Sequence, residues 1–307
     1  MIPFKDITLA DRDTITAFTI KSDRRNCDLS FSNLCSWRFL YDTQFAVIDD
    51  FLVFKFWAGE QLAYMMPVGN GDLKAVLRKL IEDADKEKHN FCMLGVCSNM
   101  RADLEAILPE RFIFTEDRAY ADYIYLRSDL ATLKGKKFQA KRNHINRFRN
   151  TYPDYEYTPI TPDRIQECLD LEAEWCKVNN CDQQEGTGNE RRALIYALHN
   201  FEALGLTGGI LHVNGKIVAF TFGMPINHET FGVHVEKADT SIDGAYAMIN
   251  YEFANRIPEQ YIYINREEDL GIEGLRKAKL SYQPVTILEK YLSLIHISEP
   301  TRRTPIS

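Results

Sequence analysis

The fold is decided by residues 207–236, which read TGGILHVNGKIVAFTFGMPINHETFGVHVE. Three runs rich in β-branched and aromatic residues, at 207–213, 217–224 and 230–236, are separated by short turn-forming segments. The first turn contains Asn214-Gly215, and the second is Pro225-Ile226-Asn227-His228. The pattern therefore predicts an antiparallel meander of three strands.

Helical and extended patterns flank this meander on both sides. Thr161-Pro162-Asp163 starts a helix, with Thr161 as the N-cap and proline at the first helical position. The other predicted elements are a strand at 155–160, helices at 162–179 and 188–204, a helix at 244–255, a strand at 261–265, a helix at 272–282 and a strand from 285. This order resembles the GCN5-related N-acetyltransferase fold, an α+β fold with a mixed sheet. In that fold a strand and helix pair splay apart in the middle of the sheet and hold an acyl donor.

The amino half repeats the order more loosely. Helices are predicted near 9–20, 30–41, 72–88 and 100–107, and strands near 44–49, 51–57, 61–66, 91–96 and 111–126. A chain of 307 residues also exceeds the usual ~100–200 residues of one domain. We therefore predict two tandem N-acetyltransferase-like domains, at 1–128 and at 129–291, the second beginning with a basic connector helix.

The last stretch, 292–307, reads like a translated sequencing adapter. We interpret it as a non-native tail, exclude it from the fold prediction and expect it to be disordered or loosely packed.

Composition predicts an ordinary globular protein with an acidic balance. The formal net charge is −7, and 45% of residues are hydrophobic. Neither a signal-peptide core nor an apolar run of the ~18–20 residues that a membrane helix needs is found, so we expect a cytoplasmic protein. The seven cysteines lack the spacing of a zinc or redox motif. No metal and no resident cofactor are predicted.

A basic segment interrupts the acidic chain at 134–149. It contains seven lysines and arginines and no carboxylate, which indicates an anionic partner or, alternatively, a solvated basic helix face. As a helix, the segment places Phe138, Ile145 and Phe148 on one apolar stripe that also contains Arg142. A cation directed inward needs a counter-charge or a ligand, so Arg142 is a candidate binding residue.

Candidate catalytic residues lie near the ends of the carboxyl-terminal strands. Glu236 ends the third meander strand, with His234 two residues earlier on the same predicted face. They are either a general base with its partner or a structural pair. Lys279 falls on the apolar stripe of the last helix, so it is either a phosphate or oxyanion ligand or a lysine whose stem covers the core edge. Glu174 is a candidate for recognising the acceptor amine.

The sequence lacks a clear glycine-rich turn for binding CoA. Enzymes of this fold hold the pyrophosphate on a glycine-rich turn before a helix, whereas residues 237–245 read KADTSIDGA. One glycine and two aspartates make a poor phosphate cradle.

Three sequence blocks carry a more specific resemblance. They are Lys136-Lys137-Phe138 through Arg142-Asn143-His144-Ile145, Tyr263-Ile264-Asn265-Arg266-Glu267-Glu268-Asp269, and Gly274-Leu275-Arg276-Lys277-Ala278-Lys279. Together they resemble the phosphatidylglycerol lysyltransferase C-terminal domain family, which is similar in turn to the Fem-type aminoacyltransferases. The resemblance covers nearly all of 1–291.

The resemblance implies transfer of an aminoacyl group from charged tRNA to a lipid hydroxyl or an amine, and hence tRNA and a small-molecule or lipid-headgroup acceptor as partners. The implied substrate-binding residues are Lys136, Lys137, Lys141, Arg142, His144, Asn265, Arg266, Glu267, Asp269 and Arg276. A late-helix lysine lies in the cleft of the Fem-type enzymes, which favours Lys279 as a catalytic residue. Two alternatives stay open: acyl-CoA-dependent N-acylation, and a non-catalytic binding module on the same scaffold.

Overall fold

The computed structural model describes residues 2–179 and 185–295. The strands, in chain order, are β1 Lys5–Asp6, β2 Gln44–Ile48, β3 Phe51–Ala58, β4 Gln61–Tyr64, β5 Val68–Gly69, β6 Cys92–Cys97, β7 Phe112–Glu116, β8 Asp122–Leu126, β9 Glu156–Pro159, β10 Thr207–Val213, β11 Lys216–Pro225, β12 Thr230–Ala238, β13 Tyr263–Asn265, β14 Thr286–Leu288 and β15 Lys290–Ile295. The helices are α1 Arg12–Thr19, α2 Phe31–Ser36, α3 Arg38–Tyr41, α4 Leu73–Lys86, α5 Ser98–Ile107, α6 Arg127–Thr132, α7 Gln139–Thr151, α8 Ile165–Asn179, α9 Glu185–His199, α10 Phe201–Leu204, α11 Ala245–Arg256 and α12 Glu273–Leu280.

The chain divides into two compact units, and neither is continuous in sequence. The first comprises the described parts of Met1–Asp6, Thr43–Arg118 and Glu289–Ser307, and the second comprises Ile7–Asp42 and Ala119–Leu288. The boundary at residue 128 between the two tandem domains stays a prediction. The compact units follow sheet membership instead, because strands that share backbone hydrogen bonds cluster together.

The first unit is built on one mixed sheet in the order β1-β2-β3-β4-β6-β15-β7, with β5 paired to β3. β4 and β6 are parallel, and β15 lies between β6 and β7, antiparallel to both. Residues 292–295 therefore depart from the expected loose packing. Backbone groups on both edges of β15 are paired, and such pairing does not depend on side-chain identity. Residues 296–307 lie outside the described part of the chain.

The second unit contains the predicted meander. Its sheet has the order β14-β8-β13-β12-β11-β10-β9, and the β10–β11 and β11–β12 pairs are antiparallel, as predicted. β8 falls before residue 128 but pairs with β13 and β14. Its Tyr123 and Tyr125 are fully buried in the core of this unit. The predicted stripe on α7 is also confirmed, because Phe138, Ile145 and Phe148 are buried in the same core.

Candidate functional site

The two parallel strands β12 and β13 diverge near the middle of the second sheet. Their pairing ends at Gly232 opposite Asn265, where β13 stops, whereas β12 continues to Ala238. We call the space between β12 residues 233–238 and the loop that begins at Arg266 the strand gap. Side chains, rather than a backbone ladder, connect the two sides of the strand gap.

A β-bulge decides which β12 side chains face this gap and α11. Val233 pairs with Gly223 and Val235 pairs with Phe222, so His234 is an extra residue on β12. Phe231 packs against Phe253 of α11, and Glu236 accepts a hydrogen bond from Asn250 of the same helix. Positions 231 and 236 would point to opposite faces of a regular strand. The bulge therefore brings Glu236 to the α11 face.

The Glu236–Arg266 ion pair spans the strand gap. Glu236 Oε1 accepts from Arg266 Nη2 at 3.0 Å, and Oε2 accepts from Asn250 Nδ2 at 3.1 Å. The guanidinium also lies 4.8 Å from the ring centroid of Tyr282. Burial acts to lower the pKa of Arg266, but the carboxylate of Glu236, together with Tyr125 and Tyr282, outweighs it and raises that pKa. Arg266 is therefore a permanent buried cation.

This pair leaves one donor and one acceptor unused. Arg266 Nη1 and Asn250 Oδ1 are both buried and have no hydrogen-bond partner among the described residues. Buried polar atoms are nearly always paired in folded proteins, so this unpaired donor and acceptor near one carboxylate form a candidate ligand site. An anionic or carbonyl oxygen fits Arg266, and an N–H or O–H group fits Asn250.

Lys141 reaches the same place from α7. Its ammonium nitrogen lies 3.9 Å from the ring centroid of Tyr282, which also contacts Arg266. It forms no hydrogen bond or ion pair within residues 2–179 and 185–295. Burial and the positive charge of Arg266 lower the pKa of Lys141 to about 8, although the negative charge of Glu236 opposes them. Lys141 can therefore exchange a proton near neutral pH.

A second side-chain pair crosses the strand gap at the bulge. His234 Nδ1 lies 2.7 Å from Glu267 Oε1, which also accepts from Asn33 Nδ2 at 2.8 Å. His234 Nε2 is buried and has no partner in the described chain. The predicted pairing of His234 with Glu236 is wrong, because His234 pairs with Glu267 whereas Glu236 pairs with Arg266 and Asn250.

Lys279 is buried, but the apolar stripe predicted for its helix is wrong in part, because Ile272 and Leu275 are exposed and only Tyr282 is buried. Its ammonium donates to the backbone carbonyl of Arg266 at 2.6 Å and to that of Glu268. These bonds fix the loop that carries the Arg266 guanidinium. The predicted catalytic role of Lys279 stays a prediction, and its contacts are those of a residue that positions this loop.

Asn265 anchors the start of the same loop. Its amide donates to the backbone carbonyl of Arg25 at 2.7 Å and to Asp122 Oδ2 at 2.8 Å, and its carbonyl accepts from the backbone N–H of Glu267. All of its hydrogen-bonding atoms are thus used within the protein.

Asp269 and Arg276 close the far end of the loop. Arg276 donates to both carboxylate oxygens at 2.8 and 2.9 Å, and Asp269 also accepts from the Tyr123 hydroxyl and the Gly271 N–H. Burial acts to raise the pKa of Asp269, but these hydrogen bonds outweigh it and hold the pKa well below its usual range.

We expect Asp269→Asn to lower the free energy of unfolding by about 1.5–3 kcal/mol at pH 7, the range for a hydrogen bond to a charged group. Because the folded-state pKa is depressed, the contribution of the carboxylate is fully present above its ordinary pKa of about 4 and is lost as pH falls below it. Urea unfolding of both proteins from pH 7 to pH 2.5 should show a difference that shrinks in acid. A difference that is independent of pH would contradict the conclusion that ionised Asp269 pairs with Arg276.

Arg142 binds the backbone of the preceding segment. Its guanidinium donates to the carbonyls of Leu133 and Gly135 and to Gln139 Oε1. These acceptors satisfy the inward cation without a ligand, so Arg142 fixes the entry into α7.

The other basic candidates on this segment lie at its surface. Lys136 is exposed, and Lys137 pairs with Asp129 at 2.8 Å. His144 Nδ1 lies 3.6 Å from Asp243. These three side chains can meet a partner in solvent but do not contact the Glu236–Arg266 pair in the described structure.

Glu174 is exposed on α8. The buried carboxylate of that helix is Glu172, which pairs with Arg191 at 3.1 Å. No described contact brings Glu174 to the strand gap.

Asn250 was missed by sequence reasoning. Helix α11 is buried on most sides, and Asn250 lies among Met248, Ile249 and Phe253 with 5% of its surface exposed. A polar side chain in a largely apolar helix is the signal that could have identified it, because such a group needs a buried partner.

Cys27, Asp122 and Glu268 each offer a potential metal ligand, and these ligand atoms lie within 4.8 Å of one another. The thiol donates to both carboxylates at 3.4 Å, and Asp122 also accepts from Asn265. Internal hydrogen bonds therefore account for this cluster.

A cavity of about 430 Å³ lies elsewhere in the second unit. Tyr157, Phe231, Phe253 and Pro258 give it an apolar lining, with Arg256 as its cation. Phe231 is near the start of β12, whereas Glu236 is near its end. The cavity is thus distinct from the strand gap.

No helix in the described chain is long and apolar enough to cross a membrane. Among solved structures, a conserved protein of unknown function from Bacteroides thetaiotaomicron is 98% identical, with a TM-score of 0.95 over 96% of this chain and 100% of that chain. L-PGS from Bacillus licheniformis is 18% identical, with a TM-score of 0.63 over 92% of this chain and 91% of that one. FemX is 8% identical, with a TM-score of 0.57 over 95% and 97% of the two chains.

A curated relative, an uncharacterized protein of Mycoplasmoides gallisepticum, is 26% identical over 177 residues, or 56% of this chain. The aligned region spans 55% of that relative, so the match covers about half of its length.

Comparison with family sequence models agrees with the structural similarities. The sequence model described as "Phosphatidylglycerol lysyltransferase, C-terminal" matches residues 20–293. The match includes every predicted site residue, and the structural neighbours confirm the predicted α+β, tandem N-acetyltransferase-like fold. The chain belongs to the phosphatidylglycerol lysyltransferase C-terminal family and is an acyltransferase-like protein of that type.

Proposed function

We propose that this protein transfers an aminoacyl group from aminoacyl-tRNA to an amine or a lipid hydroxyl, and that the reaction takes place in the strand gap. The observation that carries the proposal is the buried Glu236–Arg266 pair with its unused donor on Arg266 and its unused acceptor on Asn250.

Acyl transfer generates negative charge on the carbonyl oxygen of the ester. A fixed donor in a site that excludes water stabilises this oxyanion far better than a donor in bulk solvent. Arg266 supplies such a donor through Nη1, and its orientation is fixed by Glu236 and by Tyr282. Glu236 and Asn250 offer oxygen atoms to an ammonium or hydroxyl group of a substrate.

The turn that precedes α11 favours tRNA over CoA as the donor. Asp239 accepts from the backbone N–H of Ser241 at 2.8 Å, and Asp243 pairs with Arg147. A Cβ atom on Gly244, the N-cap of α11, would lie 2.8 Å from the carbonyl oxygen of His144. Two carboxylates and a covering carbonyl make this helix terminus a poor binding site for a pyrophosphate.

The exposed basic residues before α7 suit a polyanion. Lys134 and Lys136 are exposed at the start of the segment that also contains Lys141. A nucleic acid would approach such a surface through its phosphates, with salt-dependent affinity.

The test compares charged tRNA, deacylated tRNA and acyl-CoA esters by thermal shift and by retention on a filter at increasing salt. We expect charged tRNA to stabilise the protein most. Replacing Lys134 and Lys136 by glutamate should reduce the salt slope by about 0.7–0.9 per lost phosphate contact. The same change at the exposed Lys177 and Lys216 is the matched control.

A thermal shift with an acyl-CoA and none with charged tRNA would overturn the proposal in favour of N-acylation. Transfer is then measured with radiolabelled aminoacyl-tRNA and a mixture of phospholipids and polyamines. Binding without label transfer to any acceptor would favour the non-catalytic module.

A further inference from the structure

Lys141 differs from the other cations around the strand gap in what it contacts. Arg266 pairs with a carboxylate, whereas Lys279 and Arg142 bind backbone carbonyls. Within the described residues, Lys141 has an aromatic ring and no acceptor. Its half-buried amine is therefore held by a ring contact alone, with no hydrogen bond to an acceptor in the described chain.

The charged groups facing Lys141 come from several elements. Glu236 of β12 attracts its proton, and Arg266 in the loop after β13 repels it. Tyr282, just after α12, carries the ring beneath the amine, and burial holds its own pKa well above the usual range, so this phenol stays neutral. Burial and Arg266 outweigh Glu236, so the net effect lowers the pKa of Lys141 towards neutrality.

We propose that Lys141 is the catalytic base that removes the proton from the acceptor amine or hydroxyl. The inference rests on the proposed function, because it assigns a role in the same reaction. Arg266 and Lys141 contact the same Tyr282 ring, at 4.8 and 3.9 Å from its centroid, so the proposed oxyanion donor and the proposed base belong to one site.

The proton and the acyl group then move in a balanced sequence. The acceptor oxygen or nitrogen bonds to the ester carbonyl carbon while its proton passes to Lys141 Nζ, and the carbonyl oxygen becomes an oxyanion that accepts from Arg266. Collapse of this intermediate breaks the bond from carbon to the ribose oxygen, and the proton on Lys141 passes to that oxygen. The products are the acylated acceptor and tRNA with a free hydroxyl group, and Lys141 is again a neutral amine.

The test measures transfer from radiolabelled aminoacyl-tRNA by the wild type, Lys141→Met, Lys141→Arg and Lys141→Ala between pH 6 and pH 10. Thermal unfolding of each variant establishes that it is folded. In the wild type kcat/KM should rise tenfold per pH unit and level off near the pKa of about 8. Lys141→Met should lower kcat by about 10²–10⁴-fold without weakening tRNA binding. The rise of kcat/KM with pH below about 8 should also be absent in this variant.

Two further readouts separate a base from a structural lysine. Lys141→Arg keeps the positive charge but cannot lose its proton at these pH values, so it should be as inactive as Lys141→Met. Added methylamine should restore part of the activity of Lys141→Ala, because a free amine can take the vacated position. Lys177→Met, an exposed substitution on α8, should keep wild-type rates.

Each outcome has a distinct meaning. If the wild type transfers no aminoacyl group, the proposed function fails and the role of Lys141 fails with it. If the wild type transfers the group and Lys141→Arg or Lys141→Met retains the rate and the pH profile, the role of Lys141 alone is overturned.

Discussion

Replacing Arg266 by methionine is expected to lower the free energy of unfolding by about 3–5 kcal/mol, because the carboxylate of Glu236 would remain buried without its cation. The side chains of Arg266 and Glu236 are 11% and 12% exposed, so water cannot replace the lost partner. Transfer activity should be abolished, because the oxyanion donor is removed. Denaturant unfolding and the transfer assay on one preparation measure both effects.

The double variant Arg266→Met/Glu236→Leu separates stability from function. Removing both charges removes the uncompensated carboxylate, so much of the lost stability should return, whereas activity should stay absent. The matched control is Lys79→Met, which breaks an exposed pair with Asp49 and should change stability by less than about 1 kcal/mol. A double variant that transfers aminoacyl groups at the wild-type rate would exclude this pair from the reaction.

The meander was predictable because its signals are local. The turn at Asn214-Gly215 and the apolar runs on either side of it set strands β10 and β11, and both residues of the turn have positive φ angles in the structure. The burial of Phe138, Ile145 and Phe148 followed from helical spacing in the same way, whereas the stripe predicted on the last helix is exposed at Ile272 and Leu275.

The partners of the inward cations were not predictable. Lys279 and Arg142 bind backbone carbonyls, and every residue has such an acceptor, so sequence spacing gives no sign of which one is used. Lys279 is buried and Arg142 is partly buried, but burial alone did not distinguish a ligand site from a loop anchor.

The bulge at His234 was also not predictable from the sequence. A regular strand, as the sequence pattern predicts, would place Glu236 and His234 on one face and Phe231 on the other. The extra residue changes this relation, and it depends on how closely β11 approaches β12 at Gly223. The register between two strands depends on both of them, so it cannot be predicted from the sequence of one strand alone.

That close approach leads to the last prediction, that Gly223→Ala lowers the free energy of unfolding by about 3 kcal/mol or more, at the upper end of the cost of overpacking. A Cβ atom at this position would lie 1.8 Å from the carbonyl oxygen of Gly232 and 3.0 Å from the Phe231 ring. The carbonyl belongs to the backbone, so the two strands must separate at the bulge. We expect activity to fall as well, because the bulge sets the position of Glu236.

A glycine in an open position supplies the control for Gly223→Ala. Gly274 lies in α12, and a Cβ atom there would meet nothing within 4 Å. Gly274→Ala should leave stability unchanged or raise it by up to about 1 kcal/mol, because alanine favours the helix. Denaturant midpoints of the two variants measured side by side test the steric argument directly. A Gly223→Ala protein as stable as Gly274→Ala would show that β11 and β12 are not in close contact at the bulge, and the placement of Glu236 would then need another cause.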